Sequence, residues 1–123
     1  MVFNAAGSHI LMGVDMDDIS EMISKPSADQ EGVTVFKLNE LLPIYGSSDY
    51  YQAPKIIMIK HENERKGLMI DIPFDIRYVS IDNIHPMPDI FQEKYLNNPI
   101  WAIAIMNGEF IFIVNFKKLL TIR

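Results

Sequence analysis

The chain has 123 residues, a net charge of -5 and no cysteine, with 49% hydrophobic and 11% aromatic residues. That is enough apolar material for one ordinary domain with a packed core, and it excludes a disordered chain. Lack of cysteine removes disulfides, thiolate nucleophiles and zinc-thiolate centres, while a negative balance with dispersed lysine and arginine disfavours nucleic-acid binding.

In chain order, Met1-Val2-Phe3 and Ile10-Leu11-Met12 flank Ala6-Gly7-Ser8 and predict a first hairpin. Asp15 is placed to cap a short helix, with Ile19, Met22 and Ile23 on one face and Asp17, Asp18 and Glu21 in solvent. That helix is expected to stop before Lys25-Pro26. Ser24 to Gly32 has a loop composition, with Pro26, Ser27, Asp29 and Gln30, and leads into extended Val33-Thr34-Val35-Phe36. Leu38, Leu41 and Leu42 have the spacing of a single helical turn, with Asn39 or a neighbour as cap and Pro43 as stop. A polar loop then runs from Ile44 to Pro54.

The second half is more regular. Lys55 to Lys60 reads as a strand, Glu62 to Lys66 as a polar turn and Gly67 to Ile72 as the hairpin partner, with Pro73 at an edge or bend. Phe74, Ile76, Tyr78 and Ser80 share one side of the next extended piece, and Asp75, Arg77 and Val79 the other. Ile81 to Ile84 is one helical turn, and His85-Pro86-Met87-Pro88 a connecting loop, because proline removes amide donors and holds the preceding residue extended. Ile100 to Met106 and Glu109 to Asn115 are the strongest strand pair, rich in β-branched and aromatic residues. Asn107-Gly108 between them suits a type I′ turn, whose two central residues need positive φ. Phe116 to Leu120 closes the chain as a helical turn.

Chemistry is sparse. Asp15, Asp17 and Asp18 could be taken for a metal or phosphoryl-acceptor cluster, but acids at a helix start cap its free amides and suit its dipole, and no loop supplies further hard oxygen ligands. His9, His61 and His85 are too scattered for a metal pair, the serines lack a nucleophile-elbow glycine pattern, and no glycine-rich phosphate loop occurs. No catalytic residue, metal ligand or cofactor is therefore assigned. Tyr50-Tyr51 can act as a partner anchor or as a cover for the end of a barrel.

Read in this order, several segments form a pattern. Gly67-Leu68-Met69-Ile70-Asp71, Ile84-His85-Pro86-Met87-Pro88, Tyr95-Leu96 with Ile103-Ala104, and Ile113 to Leu120 follow one another at spacings that resemble the CheW-like domains. These are the adaptors that couple chemoreceptors to the CheA histidine kinase in bacterial chemotaxis. Upstream, Asp18 to Ile23 resembles the family segment with a glutamate between apolar residues, and Val35 to Leu42 the strand that ends in paired leucines. The resemblance implies a mainly β fold, a pair of small five-stranded SH3-like or OB-like β-barrels with short helices, and a non-enzymatic scaffold. The lobes are expected over 1–46 and 55–115, with 116–123 as the closing turn of a single 1–123 domain. Ile19, Glu21, Met22 and Ile56 match family positions near the partner-binding groove, although Ile19 and Met22 also have the spacing of a core-facing stripe. Two features depart from the family. No counterpart of its asparagine-leucine-arginine-glycine stretch lies between Ile23 and Val33, and Lys37 stands where the family has aspartate, so the first barrel is expected to be trimmed and its partner surface altered in charge.

The reading that follows is a non-catalytic adaptor whose partners are a chemoreceptor cytoplasmic tip and a CheA-like kinase regulatory domain. Nucleic acid and membrane insertion are not expected, since the apolar runs are only strand length. No secretory leader is visible, which makes the cytoplasm the default. The competing readings are a structural or self-associating module, as a homodimer, and a ligand-binding or enzymatic barrel.

Overall fold

A computed structural model describes residues 1–4, 10–41, 51–60, 65–71, 74–87 and 99–120. Its strands are β1 (Val2–Asn4), β2 (Leu11–Val14), β3 (Ile19–Ser24), β4 (Thr34–Lys37), β5 (Lys55–Ile59), β6 (Lys66–Ile70), β7 (Phe74–Asp75), β8 (Ile84–Pro86), β9 (Ile100–Met106) and β10 (Glu109–Val114). Among the described residues three short α-helices accompany them, α1 (Lys25–Glu31), α2 (Leu38–Leu41) and α3 (Phe116–Leu120), with 3-10 turns at Met16–Asp18 and Ile81–Asn83. The chain is mainly β, and its strands form two sheets, ordered β7-β1-β2-β10-β9-β8 and β3-β5-β6-β4.

The Asn107-Gly108 turn forms as expected, with φ of 49° and 78°, and joins β9 to β10 in antiparallel register. β10 also lies parallel to β2, pairing Leu11 with Ile111 through Val14 with Val114, so the first hairpin is locked to the last. Among the described residues the strands divide six and four. β1 and β2 pair with C-terminal strands, while β3 and β4 pair with β5 and β6. Hydrogen-bonded partners need not be sequence neighbours, and here each sheet draws on both halves of the chain.

The main core lies between the sheets. Phe3, Met12 and Val14 meet Ile57, Ile59, Leu68 and Ile70, and α3 inserts Phe116, Leu119 and Leu120, all nearly inaccessible to water. Each such side chain contributes roughly 1.5–3 kcal/mol of transfer free energy, so these contacts hold the sheets together. On its other face, the four-stranded sheet packs Ile56, Met58 and Met69 against Ala28 of α1. The run Lys-Ile-Ile-Met-Ile of β5 is thus buried on both faces, which explains why it does not alternate. Gly67 opposite it has no room for a side chain, since a Cβ there would overlap Ile56 Cγ2 and lie 3.0 Å from Ile57 O.

Three local expectations are overturned. Asp15 does act as a cap, accepting from Asp17 N at 2.9 Å, but it caps a single 3-10 turn, Met16–Asp18, and residues 19–24 continue as β3. The helical spacing of Ile19, Met22 and Ile23 loses to pairing with β5, which a bulge between Ile19 and Glu21 accommodates. Residues 25–31 are a helix, not a loop. Ser24 accepts from Ser27 N at 3.2 Å, Pro26 lies in the first turn where no amide partner is needed, and Gly32 ends it at φ 69°. Ile84–Pro86 forms an edge strand, where Pro86 is tolerated because an edge leaves one side of the ladder unused. The expected turn over Ala6-Gly7-Ser8, the stop at Pro43, most of the 44–54 loop and Pro73 lie outside the described residues.

Candidate functional site

The surface begins with strand β3, an edge of the four-stranded sheet. Its register alternates the strand between two environments. Met22 sits opposite Ile57 on the side facing the main core, and Glu21 and Ile23 sit opposite Met58 and Ile56 on the side of α1. Because an edge strand has a neighbour on one side only, Met22 stays 39% exposed and Glu21 is solvated. Glu21 Oε1 is 3.7 Å from Arg65 Nη2, which also approaches Glu31 Oε1 at 3.5 Å and so ties β3 to α1. All three side chains are about half exposed, so these pairs orient the surface more than they stabilise it. The bulge in β3 turns Ser20 toward β5, where its hydroxyl donates to Met58 O at 3.4 Å.

Of the four residues expected at a partner surface, two have no surface to offer. Ile19 belongs to the main core and Ile56 is wholly enclosed between β5 and α1. Their periodicity reflects packing: Ile19 precedes the bulge and points inward, and Ile56 is on a central strand covered on both faces. Glu21 and Met22 remain as neighbours on an open edge. Tyr51 packs against the Ile56, Met58 and Met69 cluster, which is the covering role, and Tyr50 lies outside the described residues.

No cluster of acid-base side chains accompanies this edge among the described residues. Among the described residues no three His, Cys, Asp or Glu side chains stand together as metal ligands, and no polar or charged residue is buried. His85 is solvent-exposed on β8, and His9 and His61 lie outside the described residues. Asp71 holds structure together: its carboxylate accepts from the backbone amides of Gln52 and Ala53 at 2.8 Å each and fixes the approach to β5.

A second surface escaped the sequence reading. On the outer face of the six-stranded sheet, a groove of about 840 Å³ has Val2, Ile111 and Ile113 in its floor and Ile76, Tyr78 and Trp101 at its rim. Trp101 reaches this rim because Ile100 pairs with Val114 and Ala102 with Ile113, leaving Trp101 as the extra residue of a bulge. Arg77, also at the groove, donates to Asp75 Oδ2 at 3.0 Å and Glu109 Oε2 at 3.1 Å. The hydrogen bond to Asp75, then that to Glu109, holds its guanidinium above the usual range. Phe74 and Val79 take opposite faces, as the alternation expected from Phe74 to Ser80 has them. Phe74 packs on the main core and Val79 on the outer face of the sheet, while Ile76 and Tyr78 point to water.

Among the described residues, two sheets packed over one core present edges and apolar rims. The family model for the CheW-like domain matches residues 28–123. The chain belongs to the CheW-like family. The fold agrees: the structure is similar to the crystal structure of the scaffolding protein TtCheW from Thermoanaerobacter tengcongensis, with a TM-score of 0.68. The two are 18% identical, and the similarity covers 92% of this chain and 80% of that one. No curated protein sequence matches this chain significantly. Within this CheW-like chain, β3 precedes the matched segment and β4 to α3 fall inside it. Between Ile23 and Val33 this CheW-like chain runs through α1.

Proposed function

We propose that this CheW-like protein is a non-catalytic cytoplasmic adaptor that joins a chemoreceptor cytoplasmic tip to the regulatory domain of a CheA-type histidine kinase. The observation that carries the reading is family membership over residues 28–123, joined to an open β3 edge that presents Glu21 beside Met22. An apolar side chain supplies contact area on such an edge, and a neighbouring charge sets orientation, which gives the modest, reversible affinity of signalling contacts. Arg65 sits against Glu21, so a basic partner group competes with it and an acidic one can reach Arg65. Calorimetric titration of the chain with a kinase regulatory domain and with a receptor tip tests the reading. Glu21→Lys and Met22→Ala are expected to weaken one or both complexes on the order of tenfold. Absence of binding to both domains overturns it.

Self-association is the second reading, favoured by the four-stranded sheet ending in two edge strands, β3 and β4. A concentration-dependent mass in light scattering, lost on Glu21→Lys while kinase and receptor domains fail to bind, supports this alternative.

A further inference from the structure

The groove on the six-stranded sheet has a composition that selects its occupant. Its floor is aliphatic, and the rim residues Ile76, Tyr78 and Trp101 are 53%, 95% and 52% exposed. A small-molecule site needs enclosed, convergent polar groups to orient its ligand, whereas the charged side chains that line this groove, Asp15, Asp18 and Arg77, are not buried residues. What the groove can take is a set of apolar side chains pressed between aromatic rims, the kind of contact in which tyrosine and tryptophan carry most of the binding energy.

Charge narrows the choice further. Among the described residues the acids lining the groove are Asp15, which caps the 3-10 turn, and Asp18 at its end, with Asp17 between them. Among the described lining residues the cations are Arg77, already held by Asp75 and Glu109, and the Met1 ammonium, which donates to Val14 O beside Asp15; with Asp17, Asp75 and Glu109 counted, the acids outnumber them and the rim is acidic. We infer that this groove docks an amphipathic peptide segment with lysine or arginine flanking its apolar residues, at a surface separate from the β3 edge. Leucine-sized side chains fill the aliphatic floor and stack on Tyr78 and Trp101, while the flanking cations face Asp15 and Asp18. Electrostatic attraction between exposed groups makes the complex sensitive to salt. The docking does not rest on the adaptor reading, because it involves neither Glu21 nor Met22.

The chain carries its own reporter, since Trp101 is its single tryptophan. The experiment titrates the full chain with three synthetic peptides and follows Trp101 emission. The first has leucines at helical spacing with lysines elsewhere, the second replaces the lysines with glutamates, and the third replaces the leucines with serines. The first is expected to give a saturable blue shift that high salt weakens, and the other two none. Tyr78→Ala and Asp18→Asn are expected to weaken binding by about tenfold and several-fold respectively, on the scale of a hot-spot residue and a rim charge. Tyr78 is so exposed that its variant folds normally. Phe110→Ser, on the opposite face of β10, is expected to leave binding unchanged. No shift with the first peptide, an equal shift with the glutamate peptide, or indifference to Tyr78→Ala overturns the inference. A blue shift that grows with protein concentration alone also overturns it, because the occupant is then a second copy of the chain. Glu21→Lys is expected to leave the peptide titration unchanged, so failure of the adaptor reading and failure of this one are read separately.

Discussion

Both sheets contribute one face to the same core, but α1 covers the outer face of the four-stranded sheet, where Ala28 closes over Ile56, Met58 and Met69. Among the described residues, the outer face of the six-stranded sheet is crossed only by an extended segment. Val79 packs down onto Val2, Ala104 and Ile111, while Ile76 and Tyr78 are left at the rim with Trp101. A helix laid on a sheet can direct a whole stripe inward, whereas an extended segment sends alternate residues away from it. The same supply of apolar side chains therefore yields a sealed layer on one side of the molecule and an open groove on the other.

Single substitutions on the two faces test this contrast. The largest effect is expected in the sealed layer: Ile56→Ala should destabilise by about 2–5 kcal/mol in urea unfolding, because its site is closed by β5 and α1 and collapses poorly. Gly67→Ala adds a methyl where Ile56 already sits and should cost about 1–3 kcal/mol by the same measurement. Asp71→Ala strands the amides of Gln52 and Ala53 at the start of β5, with an expected loss of about 1–3 kcal/mol. Removing the cap of α1 with Ser24→Ala should lower stability by about 1 kcal/mol and speed amide exchange in residues 25–31. At the other extreme, Tyr78→Ala should change stability by no more than about 0.5 kcal/mol, since the side chain is almost wholly in water. A large loss there would mean that the groove is closed in solution and would erase the difference between the two faces.

Legibility in the sequence tracked the range of the interactions involved. The β9–β10 hairpin, the strands β4 to β6 and the turns at α2 and α3 could be read because each rests on local signals, such as Asn107-Gly108 or a run of branched residues. Helix α1 carried equally local signals, Ser24, Pro26 and Gly32, which a loop-like composition concealed. Residues 19–24 were misassigned for a different reason. A bulged strand places Ile19 and Met22 on one face with a spacing that a helix also produces, and only the partner β5 distinguishes the two. The same ambiguity made Ile19 and Ile56 candidates for a surface from which packing withdraws them. Trp101 left no signal of its groove, because its orientation depends on a one-residue mismatch between β9 and β10.

A mainly β, cysteine-free chain carrying the ordered motifs of the CheW-like family could be read from the sequence alone. Those properties reside in composition, short-range turn chemistry and the order of segments. Only the tertiary structure decided that the first and last hairpins share a sheet, that Glu21 and Met22 stay at an edge while Ile19 and Ile56 are enclosed, and that an apolar groove opens beside Trp101. Exposure belongs to pairs of distant segments, and a side chain becomes surface or core only when its partner strand arrives.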